Sequence, residues 1–189
     1  YFSHLARRAT RAARSSAVTA TALERHLCNL IATHGPLTMA RYMAEALGHP
    51  EHGYYMARDP FGPAGDFITS PEISQMFGEL IGAWCADVWK QMGAPPTVHL
   101  VELGPGRGTL MKDALRATQR VPGFHEALSI HLVETSPRLR ETQAMSLEGQ
   151  SVSWHDTTTE VPEGPLIVIA NELFDALPVH QFQFTEDQW

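Results

Sequence analysis

The sequence predicts an α/β fold, in which a parallel sheet with helices on both faces follows a helical N-terminal segment. Short apolar runs rich in β-branched residues recur along the second half of the chain, at 98–103, 129–133, 152–154, 166–170 and 179–184. The first run ends in three alternate glycines, Gly104, Gly106 and Gly108, directly before a helical pattern. Because ligands of such sheets bind where the strands end, the strand ends hold the candidate functional residues.

Composition limits the classes of protein. The 189 residues, 43% of them hydrophobic, are enough for one domain core with an appendage. Four of the 14 basic residues and no acid lie in 1–23, which leaves 10 basic against 21 acidic residues in the remainder. This acidic body argues against a broad nucleic-acid-binding face, so the basic arm is the one place where nucleic acid could be contacted. No apolar run approaches the about 20 residues that span a bilayer.

Cysteine and histidine usage predicts no metal site. Cys28 and Cys85 both fall on apolar faces of predicted helices, and no cysteine or histidine cluster has the spacing of metal ligands. We therefore expect two core thiols in a reducing compartment. The ten histidines are scattered, which predicts surface or hydrogen-bonded positions.

Residues 1–20 form a basic arm that is rich in arginine and serine. This composition is typical of a mitochondrial targeting segment, and the start at Tyr1 instead of methionine indicates a chain that is already cut or incompletely built. Two alternatives remain open at this stage. The arm can be a solvated basic helix, or it can bind an acidic or RNA surface.

Residues 21–96 are predicted to be a helical region. A helix begins at Thr21, where Glu24 completes a capping box, and a second begins at Thr38. The loop 53–71 contains three glycines and three prolines, and its length predicts an active-site role. A long helix then runs from Ser70, the expected cap, to about Gln91. Its apolar face is expected to pack in the core through Ile73, Phe77, Leu80, Ile81, Trp84 and Val88.

Residues 97–189 are predicted to form the N-terminal part of the cofactor-binding domain. The pattern gives helices at about 109–119 and 137–144 between the first strands. The run 166–170 is apolar enough for a fully buried strand, and 179–184 is expected to be a fifth strand.

The glycine turn points to a cofactor. Glu102 precedes it, and the resulting spacing, E-x-G-x-G-x-G, differs from the G-x-G-x-x-G of dinucleotide sites. The form found here is usual for S-adenosylmethionine (SAM), although a dinucleotide site or a structural loop has to be weighed against it. Glycines allow close approach of the backbone, and free N–H groups at a helix start favour a carboxylate or phosphate. Glu102 is predicted to orient the turn or to accept a hydrogen bond from the cofactor's ammonium group.

Two further strand ends carry polar residues. Glu134 follows the second strand, where a carboxylate can accept hydrogen bonds from both ribose hydroxyls, unless it is a solvated acid. Asn171 and Glu172 follow the strand 166–170 and are predicted to face the methyl sulfonium, where they would orient a nucleophilic nitrogen and accept its proton. The purely structural alternatives are a turn-forming Asn171 and a capping Asp175.

Three segments together resemble the MidA family of SAM-dependent methyltransferases: Gly65–Ser74, Glu102–Gly108 and Asn171–Pro178. The resemblance extends from about residue 24 to the end. It implies a class I, Rossmann-like methyltransferase sheet and a protein arginine methyltransferase of the mitochondrial matrix that acts in complex I assembly. The implied protein substrate is a core subunit of the respiratory NADH dehydrogenase.

The resemblance also implies residue roles. Gly104, Gly106, Gly108 and Glu134 would bind SAM, and the stretches Asp66–Glu72 and Asn171–Asp175 would line the active site. A guanidinium is a poor nucleophile because its lone pair is delocalised and it remains protonated. A carboxylate clamp would position it and draw charge away from the attacking nitrogen. We expect this clamp to consist of Glu172 opposite Asp66 or Glu72.

In one respect the chain departs from the family. Members are about twice as long, and a class I sheet has seven strands where the pattern here gives five. The sheet is therefore expected to be incomplete at its C-terminal side, in a partial chain, in a fragment completed by a second polypeptide, or within a larger assembly. The alternative function is a truncated, non-catalytic methyltransferase-fold subunit or assembly scaffold in a mitochondrial complex or ribosome precursor.

Overall fold

The structure, a computed structural model, describes residues 20–57 and 68–185. Two compact units meet in sequence between Leu37 and Thr38. The helices are α1 (Ala22–His34), α2 (Met39–Gly48), α3 (Tyr54–Ala57), α4 (Ser70–Ile73), α5 (Gln75–Gln91), α6 (Thr109–Thr118), α7 (Phe124–Ala127) and α8 (Pro137–Ser146). The strands are β1 (Val98–Leu103), β2 (Leu128–Val133), β3 (Val152–His155) and β4 (Leu166–Ile169), and 3-10 turns lie at Thr158–Glu160 and Phe174–Ala176. The predicted targeting arm, apart from residue 20, and Asp66 lie outside the described residues.

The first two helices begin where the sequence predicts. The side chain of Thr21 accepts a hydrogen bond from the backbone N–H of Glu24, and that of Thr38 accepts one from Arg41. Each threonine satisfies an N–H that has no partner inside its helix, which fixes the first turn. Gly35 ends α1 with a φ of 84°.

The sheet is parallel, with the strand order β3-β2-β1-β4. Leu100 on the central strand β1 lies opposite Ile130 on β2 and Ile167 on β4. These residues share one face of the sheet with the buried side chains of α5, α6 and α7, where Met111 and Phe124 complete the core. The predicted α/β class is confirmed.

Helix α5 turns a different face to the core from the one predicted. Its buried residues are Gly78, Gly82, Cys85, Ala86 and Trp89. The core prediction was wrong for Trp84, which is 55% exposed, and also for Leu80 at 64% and for Ile73 of α4 at 72%. Phe77, Ile81 and Val88 pack against the edge of the core.

The small residues explain this orientation. A Cβ on Gly82 would lie 2.6 Å from the Cα and carbonyl oxygen of Ala114, and one on Gly78 would lie 2.7 Å from the Cβ of Asp113. The backbones of α5 and α6 are therefore in direct contact, which requires glycine at both positions. The prediction failed because it assigned the face with the larger apolar side chains to the core, whereas the face with the small residues is buried.

Three other local predictions were wrong. The helix expected over 70–91 is interrupted at Ser74, whose φ of −145° and ψ of 117° are extended, so α4 and α5 are separate. The strand β4 is buried on one face only, because Leu166 and Val168 are each 46% exposed. Residues 179–184 are irregular, because no strand among the described residues lies alongside them to complete a ladder.

The two cysteines are in different environments. Cys85 is buried as predicted, but Cys28 is exposed, so its assignment as a core thiol was wrong. Burial raises the pKa of the Cys85 thiol to about 11. Among the described residues, no helix combines the length and the apolar character that crossing a bilayer requires.

Three histidines form a row on the sheet face opposite the apolar core. Nδ1 of His99 lies 3.0 Å from Nε2 of His131, and Nδ1 of His131 lies 2.9 Å from Nε2 of His155. The carboxylate of Glu160 lies 4.0 Å from Nδ1 of His155. Burial, followed by the neighbouring His99 and His155, lowers the pKa of His131. These histidines are hydrogen-bonded, as the sequence predicted for the histidines in general, but their alignment was not foreseen.

The close contact between α5 and α6 predicts that Gly82→Ala lowers the free energy of unfolding. The added methyl group meets backbone atoms that cannot rotate away, so the helices must separate. Overpacking of this kind costs ~1–3 kcal/mol, which outweighs the ~1 kcal/mol that alanine gains in helix propensity. Urea denaturation should show the loss. Gly48→Ala is the matched control, because a Cβ there meets nothing within 4 Å, and an equal loss in both variants would contradict the argument.

The histidine row predicts a pH-dependent contribution to stability. Because the pKa of His131 is lowered on folding, the unfolded chain binds the extra proton first as the pH falls below about 6.5. The free energy of unfolding of wild type, relative to His131→Asn, should therefore increase as the pH rises from about 5 to 7. Thermal denaturation at several pH values would measure this, with exposed His180→Asn as the control. A difference that is constant across pH would refute the assignment.

Candidate functional site

The turn between β1 and α6 is built from glycines in left-handed conformations. Gly104, Gly106 and Gly108 have φ values of 61°, 54° and 78°. Side chains are strained at such φ values. A Cβ on Gly104 would also lie 2.7 Å from a methyl carbon of Leu173. Gly108 is the N-cap of α6 and supplies no side-chain acceptor. The N–H of Met111 donates to Glu102, so the N–H groups of Thr109 and Leu110 are left for a ligand.

Two cavities share this turn. The larger, of about 650 Å³, is bordered by Tyr55, Gly104, Glu134, Asp156, Glu172 and Leu177. The smaller, of about 50 Å³, is bordered by Glu72, Glu102, Gly106, Thr109, Asn171 and Glu172. We refer to them as the large and the small cavity.

Glu134 lies at the end of β2 and borders the large cavity. Its Oε1 accepts a hydrogen bond of 2.8 Å from the backbone N–H of Ser136, and its Oε2 lies 3.3 Å from Nε2 of Gln143. Burial raises the pKa of Glu134, although these hydrogen bonds and the nearby Arg140 oppose that shift. The carboxylate is thus held in place at the cavity wall, as a group that binds ribose hydroxyls must be.

Glu172 and Asn171 lie where β4 ends. Glu172 has a φ of 49°, an uncommon conformation for a residue with a side chain. Its carboxylate accepts hydrogen bonds from the backbone N–H and hydroxyl of Ser70, at 3.2 and 3.3 Å, and from the amide of Asn171 at 3.4 Å. Ser70 therefore binds Glu172 instead of acting as the predicted cap of its own helix, where Thr69 is the N-cap.

Glu72 completes the wall of the small cavity from α4. Its Oε1 accepts a hydrogen bond of 2.5 Å from the hydroxyl of Thr109, and its Oε2 lies 3.9 Å from Nη1 of Arg107. The structure thus brings together four of the predicted residues, Glu72, Glu102, Asn171 and Glu172, around one cavity. Asp66 lies outside the described residues.

Glu102 is the most unusual group in the site. It is 3% exposed, and among the described residues its Oε2 has no hydrogen-bond partner. Burial raises its pKa to about 8, with only a hydrogen bond from the backbone of Met111 in opposition. A buried carboxylate without a partner is costly unless a positively charged group binds beside it. The small cavity is therefore suited to a cationic group.

Sequence reasoning missed several residues that border the site. Asp156 and Thr157 follow β3 and border the large cavity, as does Tyr55 of α3. The rule that located Glu134 at a strand end would also have found Asp156. Gln143 lies in the middle of α8, where no local signal marks it.

A strand-ending glycine turn, a held carboxylate on the next strand and an adjoining large cavity define a Rossmann-like domain that binds a nucleoside-containing cofactor. The chain belongs to a family described as S-adenosyl-L-methionine-dependent methyltransferases, whose model matches residues 80–189, more than half of the chain. This match confirms the family resemblance that the three motifs carry.

The chain is similar to several characterised proteins. It is 43% identical to the protein arginine methyltransferase NDUFAF7, mitochondrial, of Danio rerio, over 95% of this chain and 48% of the relative. For the Homo sapiens protein of the same name the identity is 42%, over 89% of this chain and 44% of the relative. A crystal structure of a Burkholderia thailandensis protein bound to S-adenosyl-homocysteine superposes with a TM-score of 0.69 and 32% identity, covering 83% of this chain and 42% of that chain. The chain thus spans just under half the length of these relatives.

The environment of Glu102 predicts an unusual pH dependence. The folded protein holds a proton on Glu102 up to a pH of about 8, whereas the unfolded chain releases it near 4.5. Stability should therefore fall as the pH rises from 4.5 to 8, and Glu102→Gln should gain on wild type over that window by a few kcal/mol, at about 1.4 kcal/mol per pKa unit. Denaturant titrations at pH 5, 6.5 and 8 would measure this difference.

Glu79→Gln provides a control of opposite sign. Hydrogen bonds from Gln75 and Arg116 lower the pKa of Glu79 on the protein surface. That variant should lose stability relative to wild type as the pH rises to about 4.5, and its difference from wild type should then stay constant from pH 5 to 8. If Glu102→Gln follows the same trend as Glu79→Gln, the assignment of Glu102 is wrong.

Proposed function

We propose that this chain is the SAM-binding part of a protein arginine methyltransferase. Its family and the names of its relatives support the reaction class, and the solved relative with S-adenosyl-homocysteine supports the cofactor. The observation that carries the proposal is the unpartnered Oε2 of Glu102 beside the glycine turn. A SAM molecule has an ammonium group beside a carboxylate, and the small cavity offers an acid and free N–H groups to match them.

Different residues of the chain are proposed to bind different parts of this cofactor. In the proposal the N–H groups of Gly106 and of the first residues of α6 bind the amino-acid carboxylate, and Glu102 accepts from the ammonium group. Glu134 accepts from the ribose hydroxyls, while the large cavity next to Asp156 takes the adenine ring. When bound, SAM supplies a sulfonium methyl group that is open to attack by a nitrogen.

The carboxylates on the opposite wall are suited to the acceptor. A guanidinium between Glu172 and Glu72 would be fixed by charge-assisted hydrogen bonds, and Asn171 would orient the attacking nitrogen. As the N–C bond forms and the S–C bond breaks, the nitrogen becomes more acidic and its proton passes to a carboxylate, for which we propose Glu172. Asp66 stays a second candidate for this clamp.

The location and the protein substrate of this chain are proposals that go beyond its family membership. The relatives are named as mitochondrial proteins, which supports a mitochondrial location for this chain. That it acts in the matrix, on an arginine of a core subunit of respiratory complex I during assembly, is implied by the MidA resemblance alone.

A second candidate is a non-catalytic methyltransferase-fold subunit. The observation that favours it is the exposure of large apolar side chains in and beyond β4, among them Leu166, Val168, Phe174 and Phe182. Exposed apolar surface of this extent is typical of surfaces that are covered by another part of an assembly. Such a subunit would transfer no methyl group and would not need to bind the cofactor.

The test combines cofactor binding with methyl transfer. Calorimetry of the chain with S-adenosyl-homocysteine should show binding, and labelled SAM should transfer its methyl group to arginine-containing peptides but not to peptides with lysine in place of arginine. Glu172→Gln should lower turnover by ~100-fold or more, because a proton acceptor is removed, and should leave cofactor affinity within about 3-fold, since Glu102 and Glu134 bind the cofactor. The exposed Glu141→Gln is the control.

Each other outcome separates the two candidates. Binding without transfer to any arginine peptide favours the non-catalytic subunit. Absence of binding at millimolar cofactor removes the methyltransferase candidate. Unchanged turnover in Glu172→Gln would exclude that residue as the proton acceptor while leaving the reaction class in place.

A further inference from the structure

Gln143 connects the two parts of the cofactor site from behind. It is fully buried in α8, and its Nε2 donates to the carbonyl oxygen of Gly106 at 2.8 Å and to Oε2 of Glu134 at 3.3 Å. Its Oε1 accepts a hydrogen bond of 2.9 Å from Nε1 of Trp154. The stem of the side chain also packs on Gly108, where a Cβ would lie 3.5 Å from Cγ of Gln143.

The partners fix the orientation of this amide. The indole N–H of Trp154 can only donate, so the oxygen of Gln143 must face it. The two hydrogens of the amide nitrogen then point at a carbonyl and at a carboxylate, both of which can only accept. Both N–H groups and the oxygen of the Gln143 amide are therefore used, and rotating the amide would break all three hydrogen bonds.

This arrangement couples two sites that are far apart in sequence. Gly106 belongs to the turn after β1, Glu134 ends β2, and the β3 residue Trp154 fixes the amide between them. A cofactor that is bound at one end by the turn and at the other by Glu134 requires a fixed separation between the two. Hydrogen bonds from residues behind the binding groups are a common means of holding those groups at such a distance.

We propose that Gln143 is a positioning residue, which holds the glycine turn and the Glu134 carboxylate in register so that both ends of one nucleoside cofactor are bound at once. The inference rests on the proposed SAM site, and it goes beyond that site in assigning a role to a residue that does not border either cavity. Its amide also supports the charged form of Glu134, because the donated hydrogen bond opposes the effect of burial on that pKa.

The test is Gln143→Met, which keeps a similar shape and removes all three hydrogen bonds. Affinity for S-adenosyl-homocysteine, measured by calorimetry on the full chain, should fall by ~10-fold or more, as expected when a hydrogen bond to a charged group is lost. Glu102 contributes equally to the acid-side loss of affinity in both proteins, so an upward move of the pH at which affinity is half-lost reports on Glu134, which loses a donor. Arg140, the nearby charged group that also lowers the pKa of Glu134, is the same in both proteins and therefore does not contribute to the difference. Gln150→Met, at an exposed position, is the matched control.

A role confined to packing would lower the melting temperature without moving this pH midpoint. If Gln143→Met does not fold, Trp154→Phe replaces it, because that change frees the amide to rotate while Gln143 remains, and the same upward shift is expected in smaller measure. Unchanged affinity and midpoint in a folded variant would overturn the inference. Failure of wild type to bind S-adenosyl-homocysteine would instead overturn the proposed function.

Discussion

The site depends on one constraint, which is that the chain reverses from β1 into α6 through three residues with positive φ. Gly104, Gly106 and Gly108 make this reversal without side chains. The close turn places Glu102 of the strand and Thr109 of the helix at the same small cavity. It also leaves the first two N–H groups of α6, those of Thr109 and Leu110, open. Side chains at these positions would strain the turn, and at Gly104 they would displace Leu173.

Two features around this turn lower the stability of the folded protein. Glu102 has a buried oxygen without a partner, and Glu172 adopts a φ of 49°. Features of this kind persist only where surrounding contacts hold them, and they are concentrated at functional sites. Here the contacts that hold Glu172 come from Ser70, which is 102 residues away in sequence. The polar groups of the small cavity are thus arranged at a cost that a bound cation would offset.

The sequence predicted the parts of this fold that local patterns encode. Thr21 and Thr38 cap their helices, the glycine turn follows the first strand, and Glu134 ends the second. Contacts between distant segments were not predictable in this way. Trp84 was assigned to the core because large apolar residues usually lie there, whereas the direct contact of Gly82 with Ala114 gives the buried face to small residues.

The same distinction separates the predicted from the missed parts of the site. Serine is a typical helix-capping residue, which is why Ser70 was predicted to be a cap. Only the tertiary structure shows that its N–H and hydroxyl groups donate to Glu172 instead. Gln143 has no signature, because its role is defined by three partners on three different segments. Residues 179–184 alternate like a strand, yet a strand also requires a neighbour, which the pattern of one segment cannot supply.

These tertiary contacts have a consequence for the linkage between folding and binding. The walls of the small cavity come from α4, from the β1–α6 turn and from the segment after β4, so the cavity exists only when all three have docked. A ligand that binds this assembled site stabilises the folded state by RT ln(1 + [L]/Kd) and does not bind the separated segments. Because Glu102 must lose its proton before it can pair with a cation, that stabilisation should also increase with pH up to about 8. A cationic ligand should therefore restore the most stability at about pH 8 and above, where the charged Glu102 weakens the empty protein most.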